Sequence, residues 1–190
     1  MTAQQIMQDS RMVRMRALKD EVSRLKEELA RACEERDGLR EHLALALLAA
    51  RDGEALGRGG TMLIVDGWNA ILGSVKVKLH QQDGTSGREG LRAQLKAIVR
   101  RWLENRPGTR AWIVFDGSRA DGRADGRIRI TYTGGTGEHR ADRLVCDYLR
   151  MRRFAGDKWR VIVATNDKAF RAEAERLGAE TAGVEELELG

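Results

Sequence analysis

From Met15 to Ala46 the apolar positions recur at alternating spacings of three and four: Met15, Leu18, Val22, Leu25, Leu29, Ala32, Arg36, Leu39, Leu43 and Ala46. These are the a and d positions of successive heptads, the pattern of a coiled-coil seam. Glu21 with Lys26, and Glu35 with Arg40, fall at g and the following e′, where opposite charges pair across a parallel dimer. The pattern predicts a coiled-coil helix over residues 1–52, a homodimer through residues 15–46, and a glycine-rich linker over 53–60 carrying Gly53, Gly57, Gly59 and Gly60. Arg36 interrupts the seam and weakens it. A single amphipathic helix lying on its own domain is the alternative.

Beyond the linker, short β-rich runs alternate with helical periods. Met62 to Val65, Ala111 to Phe115, Ile128 to Tyr132 and Val161 to Ala164 read as strands, and a last short strand holds Thr181. Helices are predicted from Ser86 to Glu104, opened by a capping box of Ser86 with Glu89, from Glu138 to Phe154, and from Lys168 to Leu177. Strands separated by helices imply an α/β fold with a mainly parallel sheet covered on both faces, over residues 61–190.

The chain's 190 residues, 42% apolar, suffice for one ordinary core. Its formal net charge is +5, and residues 1 to 60 carry equal numbers of basic and acidic side chains, so the excess belongs to the globular part. That favours an anionic partner, nucleic acid ahead of membrane. Two cysteines, Cys33 and Cys146, argue against a disulfide framework and against a thiolate zinc site, and make a reducing cytoplasm the expected compartment. The apolar run Leu43 to Ala50 is far short of the roughly 20 residues of a membrane span, and the polar N-terminus predicts no secretion signal.

Three predicted strands end at or near an aspartate: Leu63-Ile64-Val65-Asp66, Ile113-Val114-Phe115-Asp116, and Val161 through Ala164-Thr165-Asn166-Asp167. In an open parallel sheet these ends share one edge, so the carboxylates converge on one crevice. One aspartate there is commonly a helix cap; three are harder to explain as caps. Clustered carboxylates repel and call for a cation, and hard oxygen ligands select Mg²⁺ or Mn²⁺. Asp142 is a fourth candidate, early in a helix with Glu138 one turn before it, although acidic residues in a first turn also favour the helix dipole without metal. Arg119, Arg123, Arg127 and Arg129 lie in the glycine-studded segment 117–129, expected to hang beside the site as a cationic loop. His42, His80 and His139 show no metal-like spacing.

These residues carry a resemblance. Asp66-Gly67-Trp68-Asn69 after an apolar strand, Phe115-Asp116, the Ala141-Asp142 helix and Ala164-Thr165-Asn166-Asp167 resemble, in order and spacing, a YacP-like NYN domain of the PIN-like nuclease superfamily. The resemblance covers residues 61–190 and leaves the coiled-coil arm outside. It implies a three-layer α/β/α PIN-like fold and a metal-dependent endoribonuclease in which metal-activated water attacks RNA, leaving a 5′-phosphate and a 3′-hydroxyl. Asp66, Asp116, Asp142 and Asp167 stand at the matching acidic positions. Asn69 would orient a metal-bound water or phosphate, with Asn166, Arg119, Arg123, Arg127 and Arg140 completing the substrate-binding set. In place of the acidic residue that often precedes the family's Ala-Asp pair, this chain has His139-Arg140, with Glu138 displaced upstream as a provisional ligand. The implied partner is RNA, in a ribosome-associated context; the rival expectation is a non-catalytic PIN-like module that binds RNA or protein and docks through its coiled coil.

Overall fold

The computed structural model describes residues 3–74, 87–117, 120–134, 139–156 and 159–188. By its contacts the chain divides into Met1–Ala44 and Leu45–Gly190. Helix α1 (Ala3–Leu56) supplies the described part of the first unit, and there the a and d side chains are exposed, Leu18 by 65% and Leu39 by 70%. Among the described residues, no helix is long and apolar enough to cross a membrane.

The end of α1 departs from the expected linker. Leu45 and Ala49 are buried in the core of the second unit, and the helix runs through Gly53 to Leu56. Gly53 is required there by close approach: a Cβ would meet the Trp159 ring at 2.5 Å. Asp52, one residue earlier, is also buried. Of the expected linker, only residues 57–60 lie outside regular structure. They form a tight turn in which Gly57 donates to Gly53 O at 2.9 Å and Gly60 O accepts from Arg160 N at 2.9 Å.

The apolar runs become the strands of one sheet. β1 (Thr61–Asp66), β2 (Thr109–Phe115), β3 (Ala120–Asp125), β4 (Ile128–Thr133), β5 (Arg160–Ala164) and β6 (Glu180–Ala182) are ordered β3-β4-β2-β1-β5-β6. All pairings are parallel except β3 with β4. Alternate side chains of each strand face opposite sides. Met62, Ile64, Trp112, Val114, Val161 and Val163 pack with the end of α1, with α4 (Arg140–Arg152) and with α5 (Lys168–Arg176). Leu63, Val65, Ile113 and Phe115 pack with α2 (Gly67–Gly73) and α3 (Arg88–Glu104). The result is the three-layer α/β/α arrangement of a PIN-like fold.

One local expectation fails. The segment expected as a loop is the hairpin β3–β4, with a turn whose Gly126 has φ +59°. Helix α3 begins at Arg88 with Gly87 at its cap, and Ser86, expected to form a box with Glu89, lies outside the described residues.

Candidate metal centre

Strand β1 lies between β2 and β5, and all three run the same way, so their carboxyl ends meet where the chain order reverses. Register puts Asp66 beside Val114 and Val65 beside Ala164, so Asp66, Asp116 and the Thr165-Asn166-Asp167 turn share one edge. Helix α4 starts at the same edge, because its Ala141 N–H donates to Asp116 Oδ1 at 2.7 Å.

Each aspartate is fixed by the fold. Asp66 caps α2, accepting the Asn69 N–H at 3.3 Å, with the Thr165 hydroxyl at 3.5 Å from its other oxygen. Asp116 accepts from Ala141 N and, at 3.2 Å, from the Thr133 hydroxyl, both at Oδ1. Its carbonyl accepts Trp68 Nε1–H at 2.8 Å. Asp167 caps α5 through Oδ1, accepting from Ala169 N at 2.8 Å and Phe170 N at 3.0 Å. Capping and clustering therefore coexist, and among the described residues Oδ2 of Asp116 and of Asp167 is left without a hydrogen bond.

The charges are felt mutually. Burial, reinforced by the charge of Asp142 and less strongly by Asp116 and Asp167, pushes Asp66 from the usual 3.8 up to about 7, against the pull of the Asn69 N–H. Asp142 is also raised, first by burial and then by Asp167 and Asp116, with His139 acting in the opposite sense. A cation would relieve this repulsion, and a set of hard carboxylate oxygens suits Mg²⁺ or Mn²⁺.

His139 joins the cluster, although the three histidines have no metal-like spacing among themselves. Its Nδ1 lies 3.0 Å from Asp142 Oδ2, and ligand atoms of His139, Asp142 and Asp167 all fall within 4.8 Å of one another. Asp66 and Asp116 stand outside that tightest trio but remain coupled to it by charge. Among the described residues, His139 is the one non-glycine residue with positive φ, at 59°. The left-handed turn sets it at the start of α4, three residues before Asp142; that spacing is the signal that could have found it.

Residues 63–189 match the profile of the YacP-like NYN domain. The chain belongs to the YacP-like NYN domain family. The structure of a tryptophan-to-leucine mutant of Rae1 (YacP) from Bacillus subtilis is 20% identical, covers 67% of this chain and 72% of that chain, and superposes with a TM-score of 0.50. A second structure of Rae1 (YacP) from Bacillus subtilis is 22% identical, covers 66% and 70%, and gives a TM-score of 0.45. No curated protein sequence matches the chain.

The polar residues around this NYN domain's acidic edge divide into two groups. Asn69 and Asn166 tie the edge together: Asn69 Oδ1 accepts the Asn166 N–H at 2.7 Å, and Asn166 Oδ1 accepts the Val184 N–H at 3.1 Å. Arg140, half-buried, opens α4 beside His139, and exposed Arg123 lies on β3 with Asp121 at 3.5 Å. Arg127 is not at this edge. It precedes Ile128, which pairs with Ala111 at the amino end of β2, and it donates to the carbonyls of Leu103, Arg106 and Thr109. Arg129 is likewise turned to Asp52 and the Trp112 ring. Arg119 and Glu138 lie outside the described residues.

Proposed function

We propose that this NYN domain is a divalent-metal-dependent endoribonuclease acting at the carboxyl edge of its sheet. The observation that carries the reading is the convergence of Asp66, Asp116, Asp142 and Asp167 on one sheet edge, where burial and the neighbouring charges push Asp66 up to about 7 and a cation beside it would favour the anion. Asp66, Asp116, Asp142 and Asp167 are the proposed ligands, with Glu138 provisional and His139 available beside Asp142. When bound, Mg²⁺ or Mn²⁺ would activate water and neutralise charge on the scissile phosphate.

The chain's own groups set the geometry. Backbone N–H groups at two helix starts hold Asp116 and Asp167 in fixed rotamers, so their remaining oxygens need little reorganisation. The Asn69–Asn166 bond locks the ends of β1 and β5 together and keeps Asp66 and Asp167 at one distance. Residues 15–46 are proposed to pair two copies in parallel, which would cover the exposed seam.

Incubating the purified full chain with total cellular RNA, with and without Mn²⁺, and mapping the ends tests the proposal. Cleavage leaving 5′-phosphates, dependent on the ion and lost in Asp66→Asn and Asp116→Asn, is the expected result. Added Mn²⁺ should also raise the melting temperature of the wild type and not of Asp116→Asn. Ion-independent cutting, or cutting that survives both substitutions, would remove the aspartates from the chemistry.

A further inference from the structure

Helix α3 presents Arg88, Arg92 and Lys96 at successive four-residue spacings, hence on one face. That face borders a groove of about 380 Å³ whose lining includes Glu89, Arg92, Lys96, Gly117, Arg123 and Tyr132. Arg92 is held there by rings rather than by acids. Its guanidinium carbon sits 5.1 Å from the Trp68 ring centre, 5.5 Å from that of Phe115 and 4.8 Å from that of Tyr132. The rings are locked among themselves, Trp68 edge-on to Phe115 at 5.3 Å and Phe115 stacked on Tyr132 at 5.5 Å.

The groove's other cations already have partners. Lys96 and Arg100 share Asp125, at 2.5 and 2.7 Å, and Arg123 faces Asp121. Among the described residues Arg92 has no carboxylate within ion-pair distance, and its Nε is buried without a hydrogen bond. A planar guanidinium fork held on aromatic faces is already oriented, so less freedom is lost when it takes a two-oxygen anion such as a phosphate. The groove also touches the acidic edge. Gly117 follows Asp116 directly, and Trp68, beneath Arg92, donates to the Asp116 carbonyl.

We infer that Arg92, seated on Trp68, Phe115 and Tyr132 in the groove beside Asp116, binds a backbone phosphate of single-stranded RNA next to the bond to be cut. The inference rests on the nuclease reading above for the identity of the anion.

The test is binding of a fluorescein-labelled, unstructured oligouridylate to the full chain in EDTA across a series of KCl concentrations. Arg92→Met, which keeps apolar packing on the rings, should weaken binding about tenfold and lower the salt slope by about 0.7, one phosphate contact on a single strand. Arg92→Lys should restore most of the slope. A role confined to bracing the rings would shift melting while leaving the slope unchanged, and that outcome overturns the inference. If Arg92→Met does not fold, the wild type decides: the Arg92 Nε–H resonance, assigned by its loss in Arg92→Lys, must shift on adding the oligouridylate, and a static resonance overturns the inference as well. Cleavage of the same strand in Mn²⁺ is scored separately. Cleavage with Arg92-independent binding sinks the subsite and spares the nuclease, whereas Arg92-dependent binding without cleavage does the reverse.

Discussion

Asp52 in the last turns of α1 accepts both terminal guanidinium nitrogens of Arg129 on β4, at 2.9 and 3.0 Å. The Tyr148 hydroxyl of α4 completes the clamp, donating to Asp52 Oδ2 at 2.8 Å. A two-toothed ion pair with both partners largely buried leaves a costly charge behind when one is removed. Asp52→Ala should therefore lower unfolding free energy by about 3 kcal/mol in urea titrations. Removing residues 1–44 should leave the melt nearly unchanged, whereas removing 1–60 deletes Leu45, Ala49 and Asp52 and should yield an unstable product. Equal stability of the two truncations would show that the end of α1 contributes nothing to the core.

Gly53 gives an independent reading of the same packing. Alanine is the better helix former by about 1 kcal/mol, so in an exposed helix or a linker Gly53→Ala would be neutral or stabilising. Here the added Cβ meets the Trp159 ring at 2.5 Å, and a net loss of about 1 to 2 kcal/mol is expected from overpacking. A rise in melting temperature would contradict the close approach.

The metal-free protein should lose stability as pH rises from about 4 to about 7. Over that window folded Asp66 still holds a proton that the unfolded chain, with its carboxyl at 3.8, has released. A shift from 3.8 to about 7, at 1.36 kcal/mol per pH unit, sets a ceiling of roughly 4 kcal/mol. Asp66→Asn, which keeps a good helix cap, should be more stable than wild type in EDTA above pH 7 and should match it near pH 4. Thermal melts at the two pH values measure this; a mutant less stable at high pH would make Asp66 a structural anion.

The arm has its own test. Arg36 at an a position would carry charge into the seam of a dimer, so Arg36→Leu should tighten association, and residues 45–190 alone should sediment as a monomer. A full-length protein that stays monomeric at micromolar concentration, with or without Arg36→Leu, would leave the exposed seam for a different partner.

What the sequence disclosed follows from how each element is held. β1, β2 and β5 are buried on both faces, so they read as unbroken apolar runs, and the aspartates after them mark their common edge. β3 could not be read, because Ala120–Asp125 has no β-branched or aromatic residue and is held to β4 by its backbone pairing at the sheet's edge. Missing it misplaced Arg127, which the β3–β4 turn carries to the amino end of β2, and Arg129, which β4 sets beside Trp112 and turns to Asp52. The true end of the arm was hidden by glycine: Gly53 reads as a breaker, yet a tryptophan more than a hundred residues later requires its lack of a side chain. His139 was passed over because its neighbour Asp167 is brought to it only by the crossover to β5.

The parallel register also separates two kinds of failure. Arg129 is level with Trp112, four residues before Asp116, so the Asp52–Arg129 clamp stands about 13 Å along the strands from that aspartate. Damage at the clamp should show as heat sensitivity with turnover intact at low temperature, and damage at the aspartates as a well-folded protein that does not turn over. Conditional alleles and inactive alleles should therefore map to different levels of the same sheet.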